Sequence, residues 1–465
     1  MADILEVRSP FDGAVISELE LASEARVEEA LTQAWAHFDN RSLWLPPYRR
    51  IEILEKLAAL MEKNRDTLIF TALEEGGKPY VDTVVEVDRA IQGVKLAAQA
   101  VGNLAGTQVP MGLTRSSTER LAFSFYEPAG VVVSISAFNH PVNLIIHQTV
   151  TAIAAGCPVI VKPALATPNS CLEVVRLIHE AGLPEAWCRA IVCSDELAEK
   201  LAADARVGYL SFIGSARVGW YLRSRIAAGT RCGLEHGGAA PVVVDETADF
   251  DAMVPLLVKG GFYHAGQVCV SVQRIFAPRA HAEHLAGLIA SQAGKLKVGD
   301  PADRTTDVGP LIAAREVDRI ESWVAEAART GGIITGGGEK LENNCFQPTV
   351  ILDPAVNTHV STQEIFGPVV CIYSYDSMDQ AIDQANSLPF AFQASVFTRD
   401  LDRALYAGQR LDATAVMVND HTAFRVDWMP FGGRDDSGLG LGGIPYSVRE
   451  MSREKMLVFK SPGIQ

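Results

Sequence analysis

The chain has 465 residues, a formal net charge of −15 and 48% hydrophobic residues. This length exceeds one compact core, so two or three domains are expected. Basic residues are scattered without a Lys/Arg block, which argues against nucleic acid as a partner. No unbroken apolar segment is long enough to span a bilayer, and no signal-peptide pattern is evident, so no membrane association is expected.

The eight cysteines are spread along the chain without the paired spacing of a disulfide framework. That pattern is typical of a reducing compartment, so the sequence predicts a cytoplasmic protein. Metal-ligand patterns such as CxxC and HExxH are absent, so no metal site is expected.

The hydrophobic periodicity changes along the chain. Three N-terminal segments have helical spacing, and beyond them short apolar strands alternate with helices, which predicts parallel βαβ units. A further strand at 241–244 opens a second α/β region that continues to about residue 430, with glycine-rich surface loops at 331–332 and 336–338. The predicted helices are 24–38, 47–75, 80–103, 143–155 and 170–182, and the earlier predicted strands are 130–136, 158–163 and 207–212.

Two segments far apart in the chain, 120–126 and 455–459, alternate like exposed β-strands. Paired in one small sheet, they would form a ribbon suited to assembly with a second copy of the chain.

The most informative residues for chemistry are Cys269, which follows a glycine-led turn, and Glu235, which precedes a Gly-Gly pair. An isolated cysteine is more often a small buried hydrophobe, and an isolated turn glutamate is often solvated. Together they supply a nucleophile for an aldehyde carbonyl and a base that activates water to release the resulting thioester. Because Glu235 lies beside an apolar run, desolvation should raise its pKa.

Further motifs surround this pair, and each is commonplace alone. Asn139 stands before a proline-ended loop, where an Asx-turn is the simplest interpretation. Lys162 ends a strand, and Gly214-Ser215 precedes a helix whose N-terminus suits a pyrophosphate. The segment 364–368 reads EIFGP. In this order and spacing, the motifs resemble the aldehyde dehydrogenase superfamily from about residue 8 to the C-terminus.

The resemblance implies an α/β fold with a Rossmann-like cofactor domain, an α/β catalytic domain and a small oligomerisation β-ribbon. The cofactor domain would comprise 1–106 and 129–237, the catalytic domain 238–438, and the ribbon 107–128 and 439–465. A homodimer or homotetramer is implied.

The resemblance also assigns roles to residues. Cys269 would attack the aldehyde, Asn139 would stabilise the oxyanion with the Cys269 backbone N–H, and Glu235 would activate water. Retention of Glu235 favours hydrolysis to the free acid over transfer to CoA, since CoA-acylating relatives dispense with this residue. The implied cofactor is NAD or NADP, and the residues implied in binding it are Phe138, Lys162, Leu165, Gly214, Ser215, Glu364 and Phe366.

Two departures from the family pattern leave alternatives open. Leu165 stands where many NAD-preferring members carry a glutamate, so neither NAD nor NADP is favoured. Gln148 and Gly442 stand where many members carry a lysine and a glutamate of a proton relay. Their loss raises the alternative of a catalytically weak or non-catalytic member.

A third departure concerns the substrate pocket, where Arg89, His140 and Arg425 occupy expected lining positions. This set resembles the subgroup of lactaldehyde, non-phosphorylating glyceraldehyde-3-phosphate and phosphonoacetaldehyde dehydrogenases. It predicts a small polar or anionic aldehyde as substrate. Val268 argues against a full phosphate clamp, because some phosphate-handling relatives have an arginine there.

The alternative interpretation of this pocket is structural. Arg89 would pair with Glu86 or Asp82 on its own helix, Arg425 would pair with Asp427, and the substrates would be neutral aldehydes of broad range. The nearby His236 and His264 are expected to be packed core histidines, with substrate contact as the alternative.

Overall fold

The computed structural model describes residues 3–464. Within this range the helices of the N-terminal half pack around one sheet, and those of the C-terminal half pack around another. The α-helices are Glu24–Asp39, Pro47–Lys63, Arg65–Gly76, Tyr80–Gly102, Asn143–Ala155, Pro168–Glu180, Asp195–Ala203, Ala216–Arg225, Phe250–Phe262, Arg279–Ala293, Ala314–Arg329, His359–Thr362, Met378–Ala385, Leu401–Arg410 and Ile444–Glu450.

The first sheet has five parallel strands and one short antiparallel edge strand. The strands predicted in this region are confirmed. Two further strands of the sheet, at 188–190 and 231–235, were not predicted from the sequence. In spatial order the strands are Gly438–Leu439, Arg231–Glu235, Val207–Ile213, Val131–Ile135, Val159–Lys162 and Cys188–Ala190.

The second sheet has seven strands, parallel except for the first. The loops predicted at 331–332 and 336–338 are confirmed at 331–332 and 337–338, which lie outside the strands, and wrong at Gly336, which ends the edge strand and pairs with Val350. In spatial order the strands are Ile333–Gly336, Thr349–Leu352, Val369–Tyr375, Arg274–Pro278, Pro241–Val244, Gln393–Phe397 and Ala415–Val418.

The predicted exposed strands form the small sheet expected of them. Arg120–Pro128 and Ser452–Lys460 pair antiparallel along their full length, and Gln108–Val109 extends the sheet. An N-terminal hairpin of Ile4–Arg8 and Val15–Glu20 was not predicted. A two-residue pairing joins Phe390–Ala391 to Arg434–Asp435.

The single helix predicted over 47–75 is wrong. The helix ends at Lys63, and Asn64 leaves helical geometry with φ −100° and ψ 18°. Its side-chain amide donates to the carbonyl of Leu60 at 2.8 Å, so the residue closes one helix as the next begins. Asparagine favours such local side-chain bonds over an uninterrupted helix.

Separate hydrophobic cores accompany the two sheets. Two clusters cover the faces of the first sheet, and one large cluster surrounds the second. A large cavity lies between the two regions, at the carboxyl ends of the parallel strands, where open α/β sheets commonly bind ligands. Within residues 3–464 there is no helix of the length and apolarity needed to cross a membrane. The domain boundaries given above stay a prediction.

Candidate active site

A cavity of about 1450 Å³ brings together all of the sequence-predicted catalytic, cofactor and substrate residues. One wall consists of strand ends of the first sheet, where Ile135, Lys162 and Glu235 stand at or next to the last strand position. The facing wall carries the loop of Cys269 and the segment of Glu364. The fold therefore places residues that are far apart in sequence around one space.

The loop that leads to Cys269 has an unusual backbone. His264, Ala265 and Gly266 have consecutive positive φ angles of 48°, 53° and 69°. Such a conformation costs about 1–3 kcal/mol for each non-glycine residue, so surrounding packing must hold it. At Gly266 a side chain is excluded, because a Cβ there would collide with the carbonyl oxygen of Gly367. The Cys269 loop is thus fixed directly against the segment that follows Glu364.

Cys269 is half-buried, and its thiol is protonated at neutral pH. Burial raises the pKa of the Cys269 thiol to about 12, although the nearby guanidinium of Arg425 lowers it. The carboxylates of Glu364 and Glu235 are also close enough to raise it. Any attack by this sulfur must therefore be coupled to removal of its proton.

Asn139 lies against the Cys269 loop. Its side-chain amide donates to the backbone carbonyl of Gln267 at 2.9 Å. Gln267 is itself anchored, because its side chain donates to the carbonyl of Pro310 at 3.2 Å and accepts from the N–H of Ile312 at 3.0 Å. The amide is consequently held across the cavity next to Cys269, so the simple Asx-turn interpretation of Asn139 is wrong.

Glu235 is the last residue of its strand, paired with Gly438 of the edge strand. Burial raises the pKa of its carboxyl group, while the charge of Arg425 opposes the shift. This confirms the predicted direction. The carboxylate packs directly on Gly442, where a Cβ would collide with Oε1. The glycine that replaces the expected relay glutamate therefore makes space for Glu235.

Behind Glu235 lies a second cavity of about 20 Å³, lined in part by Tyr209, Ser211 and Gly442. A space of this size can hold about one water molecule. Gln148, at the other expected relay position, donates instead to the carbonyls of Ile135 and Ser211 at 3.2 and 3.1 Å. Gln148 thus ties two strands together and makes no hydrogen bond to Glu235.

At the far end of the cavity, Gly214 and Ser215 precede the helix Ala216–Arg225. Ser215 occupies the N-cap position, yet its hydroxyl makes no capping hydrogen bond and stays exposed. Lys162 lies nearby with its ammonium 2.9 Å from the carboxylate of Asp195, and Leu165 also lines this end. A helix N-terminus with a spare hydroxyl and an adjacent ammonium is well suited to a pyrophosphate and ribose.

Glu364 stands between this end and Cys269. Its Oε1 is buried without a hydrogen-bond partner among the described residues, and burial raises the pKa of its carboxyl group to about 8. The ring of Phe366 packs edge-on against Phe138, with centroids 5.9 Å apart. An unpaired buried carboxyl group suits a ribose hydroxyl, so the cofactor end of the cavity fits a dinucleotide.

The substrate end contains a buried charge network centred on Asp427. Arg89 binds this carboxylate through Nε at 3.1 Å and Nη2 at 2.7 Å, and His147 Nε2 lies 2.8 Å from it. Although burial raises the pKa of Asp427, the hydrogen bond from His147 and the charge of Arg89 bring it well below its usual range. Asp427 is therefore a permanent buried anion.

The predicted pairing of Arg89 with Glu86 or Asp82 is wrong. Glu86 instead binds Lys78 and accepts hydrogen bonds from the N–H groups at 142 and 143, which begin a helix. Asp82 accepts the backbone N–H of His264 at 3.2 Å. Both carboxylates are committed elsewhere, which leaves Arg89 to Asp427.

Arg425 completes the network less tightly. Its Nε is 3.8 Å from Asp427 Oδ1, too far for a hydrogen bond, and this nitrogen is buried without a partner among the described residues. The guanidinium lies over the ring of Phe431, 3.5 Å from its centroid, and lines the cavity with Glu235 and Cys269. Two guanidinium groups thus share a single carboxylate, which leaves positive charge at this end of the cavity.

His140 lines the same end but is uncharged. Burial, followed by the charge of Lys78, lowers the pKa of its imidazole well below the usual value. Its Nε2 lies 3.0 Å from the hydroxyl of Tyr263. His140 therefore offers a neutral hydrogen bond at this end of the cavity, and its role as a substrate contact stays a prediction.

The two other histidines near the centre are buried. His236 Nδ1 lies 2.9 Å from the carbonyl of Asp436, and its ring packs edge-on against Phe212 and Trp220. His236 also borders the cavity, whereas His264 is buried outside its lining. Packed core histidines are the interpretation that this arrangement supports.

Sequence reasoning missed the partners that set the charges of the site. Asp427 appeared there only as a neighbour of Arg425, although Arg89 contacts it from 338 residues away. Asp195 was not considered at all, and it lies 33 residues from Lys162. Its position after Ser194, at the start of a helix, was the one available signal.

The fold, with a cavity at the strand ends that contains Cys269, Glu235 and Asn139, is that of the aldehyde dehydrogenases. The chain belongs to the aldehyde dehydrogenase family, whose model matches residues 2–457, and it is an NAD(P)-dependent enzyme. It is 35% identical over 459 residues to 3-sulfolactaldehyde dehydrogenase of Priestia megaterium, an alignment that covers 98% of this chain and 95% of that one.

Solved structures agree with this assignment. Aldehyde dehydrogenase 21 from Physcomitrella patens, in complex with the reaction product succinate, superposes with a TM-score of 0.95 at 31% identity, over 99% of this chain and 96% of that one. The glyceraldehyde-3-phosphate dehydrogenase GapN from Methanocaldococcus jannaschii, complexed with NADP, gives a TM-score of 0.93 at 31% identity, over 99% and 100% of the two chains.

Proposed function

We propose that this enzyme oxidises a small anionic aldehyde to its carboxylic acid, with NAD or NADP as cofactor. The observation that carries the proposal is Arg425, whose buried guanidinium lines the cavity beside Cys269 and makes no hydrogen bond among the described residues. An unpaired buried donor is costly unless a ligand satisfies it, and a guanidinium binds carboxylates and related anions through paired hydrogen bonds.

The proposed chemistry begins at Cys269. Its sulfur loses the thiol proton and forms a bond to the aldehyde carbon, which gives a thiohemiacetal. Glu235 is the candidate to accept that proton, because it lines the cavity with Cys269, its charge raises the pKa of that thiol, and its own pKa is raised by burial. The developing oxyanion would be held by the amide of Asn139 and the backbone N–H of Cys269.

A bound nicotinamide supplies the acceptor for the hydride that leaves the thiohemiacetal carbon. Gly214 and Ser215 would hold the pyrophosphate, Lys162 and Glu364 the riboses, and Phe138, Leu165 and Phe366 would pack beside the cofactor. Loss of the hydride leaves a thioester on Cys269. Before this step Glu235 would release to solvent the proton that it took from Cys269. It would then take a proton from water, the water oxygen would bond to the thioester carbon, and the thiolate of Cys269 would leave.

The anion would bind at the substrate end. Arg89 is fixed by Asp427 through Nε and Nη2, so its Nη1 can face a ligand, and Arg425 is held by Phe431 rather than by a full ion pair. With one carboxylate between two guanidinium groups, a carboxylate or sulfonate on the substrate would complete the charge balance. The relatives named for sulfolactaldehyde and bound to succinate agree with such groups. Val268 continues to argue against a dedicated phosphate clamp.

A panel of aldehydes decides this proposal, with cofactor reduction followed by absorbance. We expect selective turnover of succinic semialdehyde and 3-sulfolactaldehyde over propanal, lactaldehyde and glyceraldehyde 3-phosphate. Arg425→Gln should raise KM for the anionic substrates about 10- to 100-fold, the value of a charge-assisted hydrogen bond, with little change for propanal. Arg26→Gln, at an exposed arginine of the first helix, controls for the change in net charge.

The outcomes separate the alternatives. Best turnover of neutral aldehydes, unaffected by Arg425→Gln, would overturn the anionic-substrate proposal and leave a broad-specificity dehydrogenase. Activity that survives Cys269→Ala would contradict the covalent mechanism. Absence of turnover across the panel, with Cys269 inert to alkylation, would favour a non-catalytic family member. Release of product only when CoA is added would favour acyl transfer.

The proposal extends to assembly and location. The ribbon exposes apolar side chains on Arg120–Pro128 and Ser452–Lys460, including Phe123, Leu457 and Phe459, and an unpaired ribbon of this kind suits a homodimer or a homotetramer. All eight cysteines are free, which agrees with a cytoplasmic location. Light scattering on the purified protein measures the oligomeric state, and a monomer at micromolar concentration would contradict the assembly.

A further inference from the structure

Lys162, the cation expected to meet the adenosine ribose, already has a partner. Its Nζ lies 2.9 Å from Oδ1 of Asp195, and both residues line the cofactor end of the cavity. The Lys162 side chain is only 7% exposed, whereas that of Asp195 is 85% exposed. The carboxylate therefore lies on the solvent side of the ammonium, where an incoming ligand first meets the pair.

The same carboxylate stands at the start of a helix. Asp195 is the first residue of Asp195–Ala203, Ser194 caps that helix by accepting the N–H of Leu197, and Glu196 is also in the first turn. A helix N-terminus carries partial positive charge and attracts anions such as phosphate. Here two carboxylates of the chain itself already occupy its first turn.

The other charged residues at this end of the cavity do not offset the negative charge of Asp195. Glu199 also lines the cavity and is paired with Arg225 at 3.1 Å. Of the other cations that line the cavity, Arg217 is exposed, and Arg315 and Arg319 both pair with Glu316 on their own helix. Attraction between an exposed arginine and a phosphate is weakened by water and salt. Asp195 opposes both Lys162, whose side chain is 7% exposed, and the N-terminus of the helix Asp195–Ala203.

We propose that Asp195 makes this enzyme select NAD over NADP. A carboxylate at this place accepts a hydrogen bond from a ribose 2′-hydroxyl, but it repels a 2′-phosphate and withholds Lys162 from it. The missing glutamate at Leu165 left the preference open in the sequence, and Asp195 supplies the carboxylate from a different segment. This inference rests on the proposed binding of a dinucleotide in the same cleft.

Calorimetric titration of the full-length protein with NAD⁺ and with NADP⁺, without aldehyde, measures the selectivity apart from catalysis. We expect NAD⁺ to bind at least about tenfold more tightly, and Asp195→Asn to reduce that ratio about tenfold, mainly through tighter binding of NADP⁺. Asp251→Asn is the matched control, because Asp251 is also an exposed carboxylate in the first turn of a helix, Phe250–Phe262, outside the residues that line the cavity.

Three results would overturn the inference. Equal or tighter binding of NADP⁺ to the unaltered protein would contradict the preference itself. A ratio that Asp195→Asn leaves unchanged, or that Asp251→Asn changes equally, would contradict the role of Asp195. If neither nucleotide bound at all, the proposed function would fail first, and the selectivity would fail with it.

Discussion

The two ends of the cavity use similar ion pairs in opposite environments. At the substrate end Arg89 binds Asp427 at 2.7 Å, and the Asp427 side chain is only 3% exposed. At the cofactor end Lys162 binds Asp195 at 2.9 Å, and the Asp195 side chain is 85% exposed. The distances are nearly equal, so solvent is the main difference between the pairs.

This difference separates two kinds of specificity. A buried carboxylate that neutralises two guanidinium groups cannot be removed without leaving unpaired charge in a medium that solvates it poorly. An exposed carboxylate can be exchanged at little cost, because water replaces its contacts. We infer that selection of the substrate is tied to the stability of the fold, whereas selection of the cofactor can change by single substitutions.

The largest contrast is expected in the free energy of unfolding, when the same Asp→Asn substitution is made at each end of the cavity. Asp427→Asn should lower the free energy of unfolding by about 3 kcal/mol, because Arg89 and Arg425 lose their buried counter-charge. Asp195→Asn should change it by less than about 1 kcal/mol, as expected for an exposed pair. Urea denaturation followed by circular dichroism, at one pH and protein concentration, gives both values.

Similar values for the two variants would remove the basis of the comparison. If Asp427→Asn were as mild as Asp195→Asn, the substrate end would have to admit enough water to solvate its arginines. Arg89→Gln, measured in the same urea denaturation experiment, tests whether water solvates the arginines. This variant removes one of the two guanidinium groups and leaves the Asp427 carboxylate with His147 and Arg425.

The two ends also differ in how far the sequence could predict them. Short motifs in family-like order pointed to Cys269, Glu235 and Asn139 as candidate nucleophile, base and oxyanion donor, and the fold places all three on one cavity. The alternation of strands and helices predicted the parallel sheets for a local reason, since each pattern spans only a few residues. Glu235 was assigned to a turn because its strand, Arg231–Glu235, contains Arg, Cys and Gly and lacks a continuous apolar run.

The charge partners could not be predicted in this way. Arg89 had acidic neighbours on its own helix, and their local spacing suggested ion pairs that the tertiary structure does not make. The carboxylate that it does bind comes from a loop 338 residues away, and no periodicity links the two. Asp195 reaches Lys162 through the packing of the first sheet, where the strand of Lys162 pairs with the strand that precedes Asp195. Sequence thus indicated the reacting groups, and tertiary contacts determine the electrostatics around them.

A smaller effect is expected on the reactivity of Cys269. Arg425 lowers the pKa of this thiol, so Arg425→Gln should raise it, and less thiolate should be present at any pH below that pKa. The rate of alkylation by iodoacetamide should fall about tenfold for each unit by which the pKa rises. Its profile against pH should move towards higher pH.

Arg89→Gln serves as the matched control for this measurement, because Arg89 acts mainly on Asp427 and is not among the principal influences on the Cys269 thiol. Equal shifts in the two variants would indicate a general loss of positive charge at the substrate end. An unchanged profile in Arg425→Gln would mean that Arg425 contacts the substrate without influencing the nucleophile.

The smallest expected effect concerns Gly442, which lies directly against the carboxylate of Glu235. A methyl group at this position would collide with Oε1 of Glu235 and with the carbonyl oxygen of Phe431, so Gly442→Ala must displace the carboxylate and shift the backbone at Phe431. Water activation depends on the position of the base, whereas formation of the thioester also depends on Cys269 and Asn139. We therefore expect the pre-steady-state burst of reduced cofactor to keep its amplitude while steady-state turnover falls about tenfold.

Gly287→Ala, at a helical glycine with open space around it, is the control for the added methyl group. A burst and a turnover reduced in equal proportion would indicate that Glu235 acts mainly before hydride transfer, as the base for the Cys269 thiol. Unchanged kinetics would mean that Glu235 performs its chemistry from a position away from Gly442, and that the small cavity behind it has no part in the reaction.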